Sequence, residues 1–291
     1  MAEVVVVEDG AGGLPRVRVS GARADAELYL QGAHLTRWQP HGTAPVLFLS
    51  PRAAYAPGKA IRGGVPLVFP WFGAHASNPQ APMHGVARAR PWRLVTSGPG
   101  ADGAVVLELA LEDDEATRRL WPPAFALRYR VTVGEVLHLA LEVVNTSPAL
   151  FTFEAALHTY LAVGDVEAVA VTGLEHTTYL DKVDAFARKR HGAGPLRLTG
   201  ETDRVFLGTR ARCTVDDRAL GRRLVVDKAG SATTVVWNPW ATRTRDIADL
   251  GVDDWRRLLC VETANAADDA VTLAAGEHHV MTATIRVERR A

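Results

Sequence analysis

Two side chains stand where folding alone gives little reason for them. Glu262 ends the apolar run 258–262, Leu-Leu-Cys-Val-Glu, which reads as a buried strand. A buried carboxylate without a partner is costly, so Glu262 either reaches solvent or sits in a polar pocket where a carboxylate is useful. His158 interrupts a second apolar stretch, 151–161, in the same manner. A carboxylate and an imidazole held on two rigid strands can act as general base and general acid. The plainer readings are a strand-end Glu paired with one of the chain's many arginines, and a hydrogen-bonded core histidine.

A Gly/Pro-rich segment, 57–92, carries the next candidates. Arg62 precedes Gly63-Gly64, where backbone can approach a ligand without a Cβ clash. Arg88 follows His84 by four residues, with Gly85 between them. A guanidinium fork suits a phosphate or a sugar hydroxyl, and His84 can donate to a sugar oxygen or fix the loop. Ordered loops of this length usually carry function. Asp203, in the polar stretch before Val205-Phe206, is read as a hydroxyl ligand or as a turn cap. Trp71, Trp237 and Trp240 could stack on a sugar face or simply pack.

Other chemistries lack their signatures. There is no P-loop, no dinucleotide Gly fingerprint after a strand, and no Gly-x-Ser-x-Gly elbow. His278 and His279 are adjacent, so on a strand they point to opposite faces. His176 and His191 lack acidic or Cys partners at ligand spacing, so no metal site and no cofactor are expected.

The elements that must position these groups are mostly strands. Phe125, Leu127, Tyr129, Val131 and Val133 alternate with Ala126, Arg128, Arg130 and Thr132; Gly134-Glu135 turns the chain; Leu137, Leu139, Leu141 and Val143 alternate on the way back. Further strands are expected at 3–8, 27–31, 33–38, 104–112, 151–161, 166–173, 222–228, 232–238, 257–263 and 278–288. One short helix is expected at 113–120, stopped by Pro122-Pro123, and a helical turn near 253–257. Many consecutive strands with few helices predict an all-β, large antiparallel sandwich. With no linker to cut at, residues 1–291 are expected to form a single domain.

Composition agrees. Of 291 residues, 47% are hydrophobic and 23% charged, enough for a sizeable core. Lys+Arg and Asp+Glu balance at 33 each, so no global field draws nucleic acid or an anionic membrane. Two cysteines, Cys213 and Cys260, make no disulfide framework. No signal-peptide pattern opens the chain and no apolar stretch approaches a membrane span. A cytoplasmic location and a monomer are the expectations.

Five segments, in order, resemble the galactose-mutarotase-like superfamily, and most closely its glucose-6-phosphate 1-epimerase (hexose-6-phosphate mutarotase) branch. They are Ile61-Arg62-Gly63-Gly64-Val65-Pro66, Met83-His84-Gly85-Val86-Ala87-Arg88, Leu157-His158-Thr159-Tyr160, Glu201-Thr202-Asp203-Arg204-Val205 and Cys260-Val261-Glu262-Thr263. The resemblance implies a large β-sandwich with the site on its concave face. It implies Glu262 as general base and His158 as general acid. Arg62, Arg88 and Asp203 are implied as substrate-binding residues, with His84 lining the site. The position before the motif histidine is often Gln in this branch and contributes to binding; here it is Met83. The implied substrate is a small-molecule sugar phosphate, and no cofactor is needed for anomer exchange. Two rivals share some of these residues: a glycoside hydrolase using Asp203 and Glu262, and a sugar-binding module without catalysis. An unphosphorylated aldose is the alternative substrate.

Overall fold

The computed structural model describes residues 4–290. Alternation dictates the architecture: a strand with apolar residues at every second position must bury one face against another sheet. One eight-stranded sheet runs Ala170–Thr172, Cys213–Asp217, Arg222–Ala229, His278–Arg289, Leu137–Asn145, Phe125–Val133, Val105–Glu112 and Arg93–Pro99 in spatial order. The second runs Ala187–Arg190, Thr178–Asp181, Thr202–Phe206, Thr233–Asn238, Leu258–Asn265, Ala155–Leu157 and Leu67–Val68, with Tyr160–Ala162 also paired to Leu258–Asn265. Every pair of named strands is antiparallel in both. A four-stranded meander, Val4–Asp9, Pro15–Ser20, Ala24–Tyr29 and His34–Pro40, completes the sandwich, with a small pair Phe151–Phe153 and Val271–Leu273.

One apolar core joins these layers. Phe125, Leu127, Tyr129, Val131 and Val133 bury against residues that include Val236, Leu259 and Val261 of the second sheet. Burial of each such side chain contributes about 1.5–3 kcal/mol, so cutting Leu259 to Ala opens a cavity in the sheet that carries the site. The expected helix appears as Glu115–Leu120, started by a capping box in which Asp114 accepts from the Thr117 amide and Thr117 accepts from the Asp114 amide. The turn expected near 253–257 is a 3-10 helix, Asp254–Arg257.

Several expectations are corrected. The strand foreseen at 151–161 is three short strands, broken at Glu154 and at His158-Thr159. At the second break the His158 amide donates to Pro66 O and the Thr159 amide folds back to Leu157 O, which takes both out of the ladder. The strand foreseen at 166–173 begins with a 3-10 turn, Val166–Ala168, and only Ala170–Thr172 is extended. Pro15–Ser20, Arg93–Pro99, Thr178–Asp181, Ala187–Arg190, Thr202–Phe206 and Cys213–Asp217 are strands that were not foreseen. A short helix, Trp240–Thr244, was also not foreseen.

Candidate active site

The period of two decides which side chains of Leu258–Asn265 meet the core. Leu259 and Val261 point into it, so Cys260 and Glu262 point the other way. Pairing registers then lay out that outer face in two rows. In one, Val205 pairs with Val235 and Val235 with Glu262. In the next, Asp203 pairs with Trp237, Trp237 with Cys260, and Cys260 with Tyr160. The segments on either side of the break keep one register, Leu157 with Thr263 and Tyr160 with Cys260, which sets His158 opposite Glu262. Directly opposed residues are the cross-strand pairs that can touch, and they do: His158 Nδ1 lies 3.3 Å from Glu262 Oε1.

Glu262 therefore does not end its strand; it lies inside it, 1% exposed, with His158 6% exposed. No arginine pairs with Glu262 among the described residues. Glu262 Oε2 and His158 Nδ1 are both buried without a hydrogen-bond partner. Buried polar atoms are otherwise almost always satisfied, and an unsatisfied pair aimed at one space is what a polar ligand would complete. Burial drives the Glu262 carboxyl well above its ordinary range, with Asp203 adding to the rise and Lys182 and Arg88 opposing it. Burial drives the His158 imidazole well below its ordinary value, and Arg88 and Arg62 push it further down. Burial thus shifts both groups, in opposite directions, because both are desolvated together.

The Gly-rich loop brings the cations. Gly63 has φ +111° and its Cα faces Phe48 O, where a Cβ would come within 2.4 Å. Only glycine lets Arg62-Gly63-Gly64 run this close, between the 48–50 segment and Tyr160. Arg62 donates from Nε to Asp249 Oδ1 at 3.0 Å and from Nη1 to the Tyr160 hydroxyl at 3.0 Å. Arg88 donates to Met83 O at 2.7 Å and has no carboxylate partner among the described residues. Burial lowers its pKa to about 10, with Arg62 adding to the fall, so it stays charged at neutral pH. Met83 thus serves through its carbonyl, while its side chain is 52% exposed.

His84 adopts φ +64°, rare for a non-glycine residue. The Gly73 amide donates to its Nδ1 at 3.1 Å. Burial holds the ring neutral, its pKa well below the ordinary value, so the proton sits on Nε2 as a donor. The ring packs edge-on to His158 at 5.5 Å. Asp203 is a strand residue rather than a turn cap, and it pairs with Lys182 Nζ at 3.1 Å. Burial raises its pKa, opposed chiefly by Lys182. Of the tryptophans, Trp237 stands edge-on to both His158 and Tyr160, whereas Trp71 is buried in the core and Trp240 packs on Trp255.

Glu262, His158, Arg62, Arg88, His84, Asp203 and Trp237 therefore gather on or beside this face, Trp71 and Trp240 do not, and the face holds more. Lys182 and Asp249 had no signal of their own, because each matters through a partner distant in sequence, Asp203 and Arg62; Tyr160 lies in one of the five resembling segments but was given no role. An open cleft of about 550 Å³ has Asp203, Lys182 and Phe186 on its walls; His158 and Glu262 do not line it. A wider groove, about 630 Å³, crosses the outer face of the other sheet among side chains such as Arg128 and Glu142. That groove lies away from the pair. Donor atoms of His158, Cys260 and Glu262 lie within 4.8 Å of one another, a set able to bind a soft divalent ion. Burial pushes the Cys260 thiol well up, so it is protonated and a weak ligand as it stands.

The comparisons with known proteins concern nearly the whole chain. The aldose 1-epimerase family model matches residues 15–286. An Escherichia coli K12 protein named "Putative glucose-6-phosphate 1-epimerase" is 35% identical over 277 residues, covering 95% of this chain and 92% of that one. A Cenchrus ciliaris protein of the same name is 35% identical over 274 residues, covering 91% and 82%. The crystal structure of a "putative mutarotase (YeaD)" from Salmonella typhimurium superposes with a TM-score of 0.92 at 33% identity, over 99% of this chain and 94% of that one. The chain belongs to the aldose 1-epimerase family and is an isomerase, a mutarotase of aldose sugars.

Proposed function

We propose that this aldose 1-epimerase interconverts the α and β anomers of a hexose 6-phosphate, with Glu262 as general base and His158 as general acid. The base removes the proton of the C1 hydroxyl while the acid protonates the ring oxygen, and the C1–O5 bond breaks. The aldehyde rotates about C1–C2 and closes on its other face, with the two groups exchanging roles. Protons balance within the pair: ring opening converts carboxylate and imidazolium into carboxylic acid and imidazole. The observation that carries this reading is the unsatisfied His158–Glu262 pair, 3.3 Å apart and buried at the centre of the face. Each positioned group is expected to supply about 10²–10⁴-fold.

Charge supports the phosphate. Arg88 has no carboxylate partner among the described residues, and Arg88 and Arg62 both hold the His158 pKa down. A bound phosphate would cancel part of that field and favour the imidazolium that the acid role needs. Arg62, Arg88, His84 and Asp203 are then the substrate's ligands, with the Met83 carbonyl orienting Arg88. One observation favours a neutral hexose instead: Arg62 is already compensated by Asp249, and Lys182 by Asp203. We further propose that the chain works as one domain, which the largest core cluster, with members from Val17 to Ile285, supports.

Exchange spectroscopy of glucose 6-phosphate and free glucose at equal concentration separates the two substrates. Acceleration confined to the phosphorylated sugar is the expected result. Equal acceleration of both would keep the mechanism and refute the phosphate assignment.

A further inference from the structure

We infer that Tyr160 is a positioning residue that orients the His158 ring and at the same time anchors Arg62, tying the acid to the substrate-binding loop. The inference rests on the mutarotase reading for its kinetic consequences. A histidine that moves protons is normally held by a hydrogen bond to its second ring nitrogen. His158 lacks one: its Nδ1 is buried without a hydrogen-bond partner, and the 3.3 Å approach to Glu262 Oε1 is too poorly aligned to serve. Packing must set the ring plane instead.

Tyr160 supplies that plane. Its ring lies 4.8 Å from the imidazole, centroid to centroid, at an interplanar angle of 11°. The edges of His84 and Trp237 close the box at 5.5 and 6.2 Å, at 81° and 80°. The parallel face of Tyr160 resists rotation of the ring out of its plane. Tyr160 is itself held rigidly. It is 1% exposed, paired with Cys260 in the sheet, and stood against by Trp237 at 5.9 Å. Its hydroxyl accepts from Arg62 Nη1 at 3.0 Å, and burial raises its pKa to about 12, so it remains a neutral acceptor. One side chain therefore meets the acid with its face and the substrate-binding arginine with its hydroxyl.

The two contacts come apart in two variants. Tyr160→Phe keeps the ring and removes the hydroxyl; Tyr160→Leu removes both. Anomer exchange of glucose 6-phosphate should show KM raised about tenfold in Tyr160→Phe, the usual effect of losing a hydrogen bond to a charged group, with kcat within about twofold. Tyr160→Leu should add a fall in kcat of about tenfold or more, as a loosened acid does. Equal kcat in the two variants would overturn the inference. The phenylalanine variant also decides alone: a kcat loss there above about tenfold would overturn it.

A second readout is independent of turnover. The carbon-bound ring protons of His158 should be shifted upfield by the stacked phenol in the wild type and in Tyr160→Phe. In a folded Tyr160→Leu protein they should return toward ordinary positions. Unmoved signals there would contradict the inference. If the wild type accelerated no sugar, the mutarotase reading would fail, while the ring protons would still decide whether Tyr160 holds His158.

Discussion

Two pairs of buried ionisable side chains, one in each eight-stranded sheet, are treated in opposite ways. In the first sheet, Arg222 and Asp217 are 4% and 0% exposed, and their polar groups are widely engaged. Arg222 donates to Ala44 O, Pro45 O and Ala162 O at 2.7–2.9 Å and to Asp217 at 3.4 Å, while Asp217 accepts from the Gly164 and Leu220 amides. In the second sheet, Glu262 and His158 are equally buried, yet Oε2 and Nδ1 have no partner. A satisfied buried pair fixes where segments meet; an unsatisfied one stores the capacity to bind and move protons. The first pair pins the 44–45 and 162–164 segments to the sheet, and in the proposed mechanism the second faces the substrate.

The sharpest way to break this contrast is to alter one member of each pair. Glu262→Gln should lower anomer exchange by about 10²–10⁴-fold with unfolding free energy within about 1 kcal/mol of wild type, because the amide keeps the shape of the side chain and buries no charge. Arg222→Ala should do the reverse. Removing one partner of a buried pair costs about 3–5 kcal/mol, read by urea denaturation, while kcat per folded molecule stays within about twofold. Comparable stability losses in both variants would dissolve the distinction.

A smaller effect concerns His34, which is fully buried and donates from Nε2 to Gly63 O at 2.7 Å beneath the Arg62 loop. Burial lowers its pKa from 6.5 to about 4, with Arg88 and Arg62 contributing. The unfolded chain protonates this group below about 6.5 while the folded one does not, so stability is lost as pH falls from 6.5 toward 4. The loss attributable to His34 is about 3 kcal/mol. Urea titrations at pH 7 and pH 4 should show a smaller pH dependence in His34→Gln than in the wild type, the remainder coming from His84 and His158, which burial also holds down; an unchanged dependence would remove His34 from the account. The smallest expected effect is that of Arg88→Ala, a rise of about tenfold in KM for the phosphorylated sugar together with a weaker salt dependence. Equal losses on free glucose would reassign Arg88 to hydroxyl binding.

How much of this was legible in the chain follows the same division between local and distant causes. Strands such as Phe125–Val133 and Leu137–Asn145 announce themselves, since period-two alternation is a local pattern matched to burial. Ala187–Arg190, Ala-Arg-Lys-Arg, has no apolar face to read; it is an edge strand held by pairing with Thr178–Asp181. Glu262 and His158 were legible as misfits, a charge and an imidazole inside apolar runs. Their mutual approach was not, because it depends on a register kept across a break at His158-Thr159 that only hydrogen bonds to Pro66 and Gly64 explain. Lys182 and Asp249 were invisible for the same reason: their partners, Asp203 and Arg62, are brought to them by the fold. His158, Cys260 and Glu262 have no ligand spacing along the chain either, since their donors converge only across strands.

The measurement that tests the central claim most directly is anomer exchange of glucose 6-phosphate by wild type and Glu262→Gln, run beside their urea unfolding curves. The account predicts acceleration by the wild type, near-background exchange in the variant, and coincident unfolding midpoints. A folded Glu262→Gln protein that exchanges anomers at the wild-type rate would contradict it.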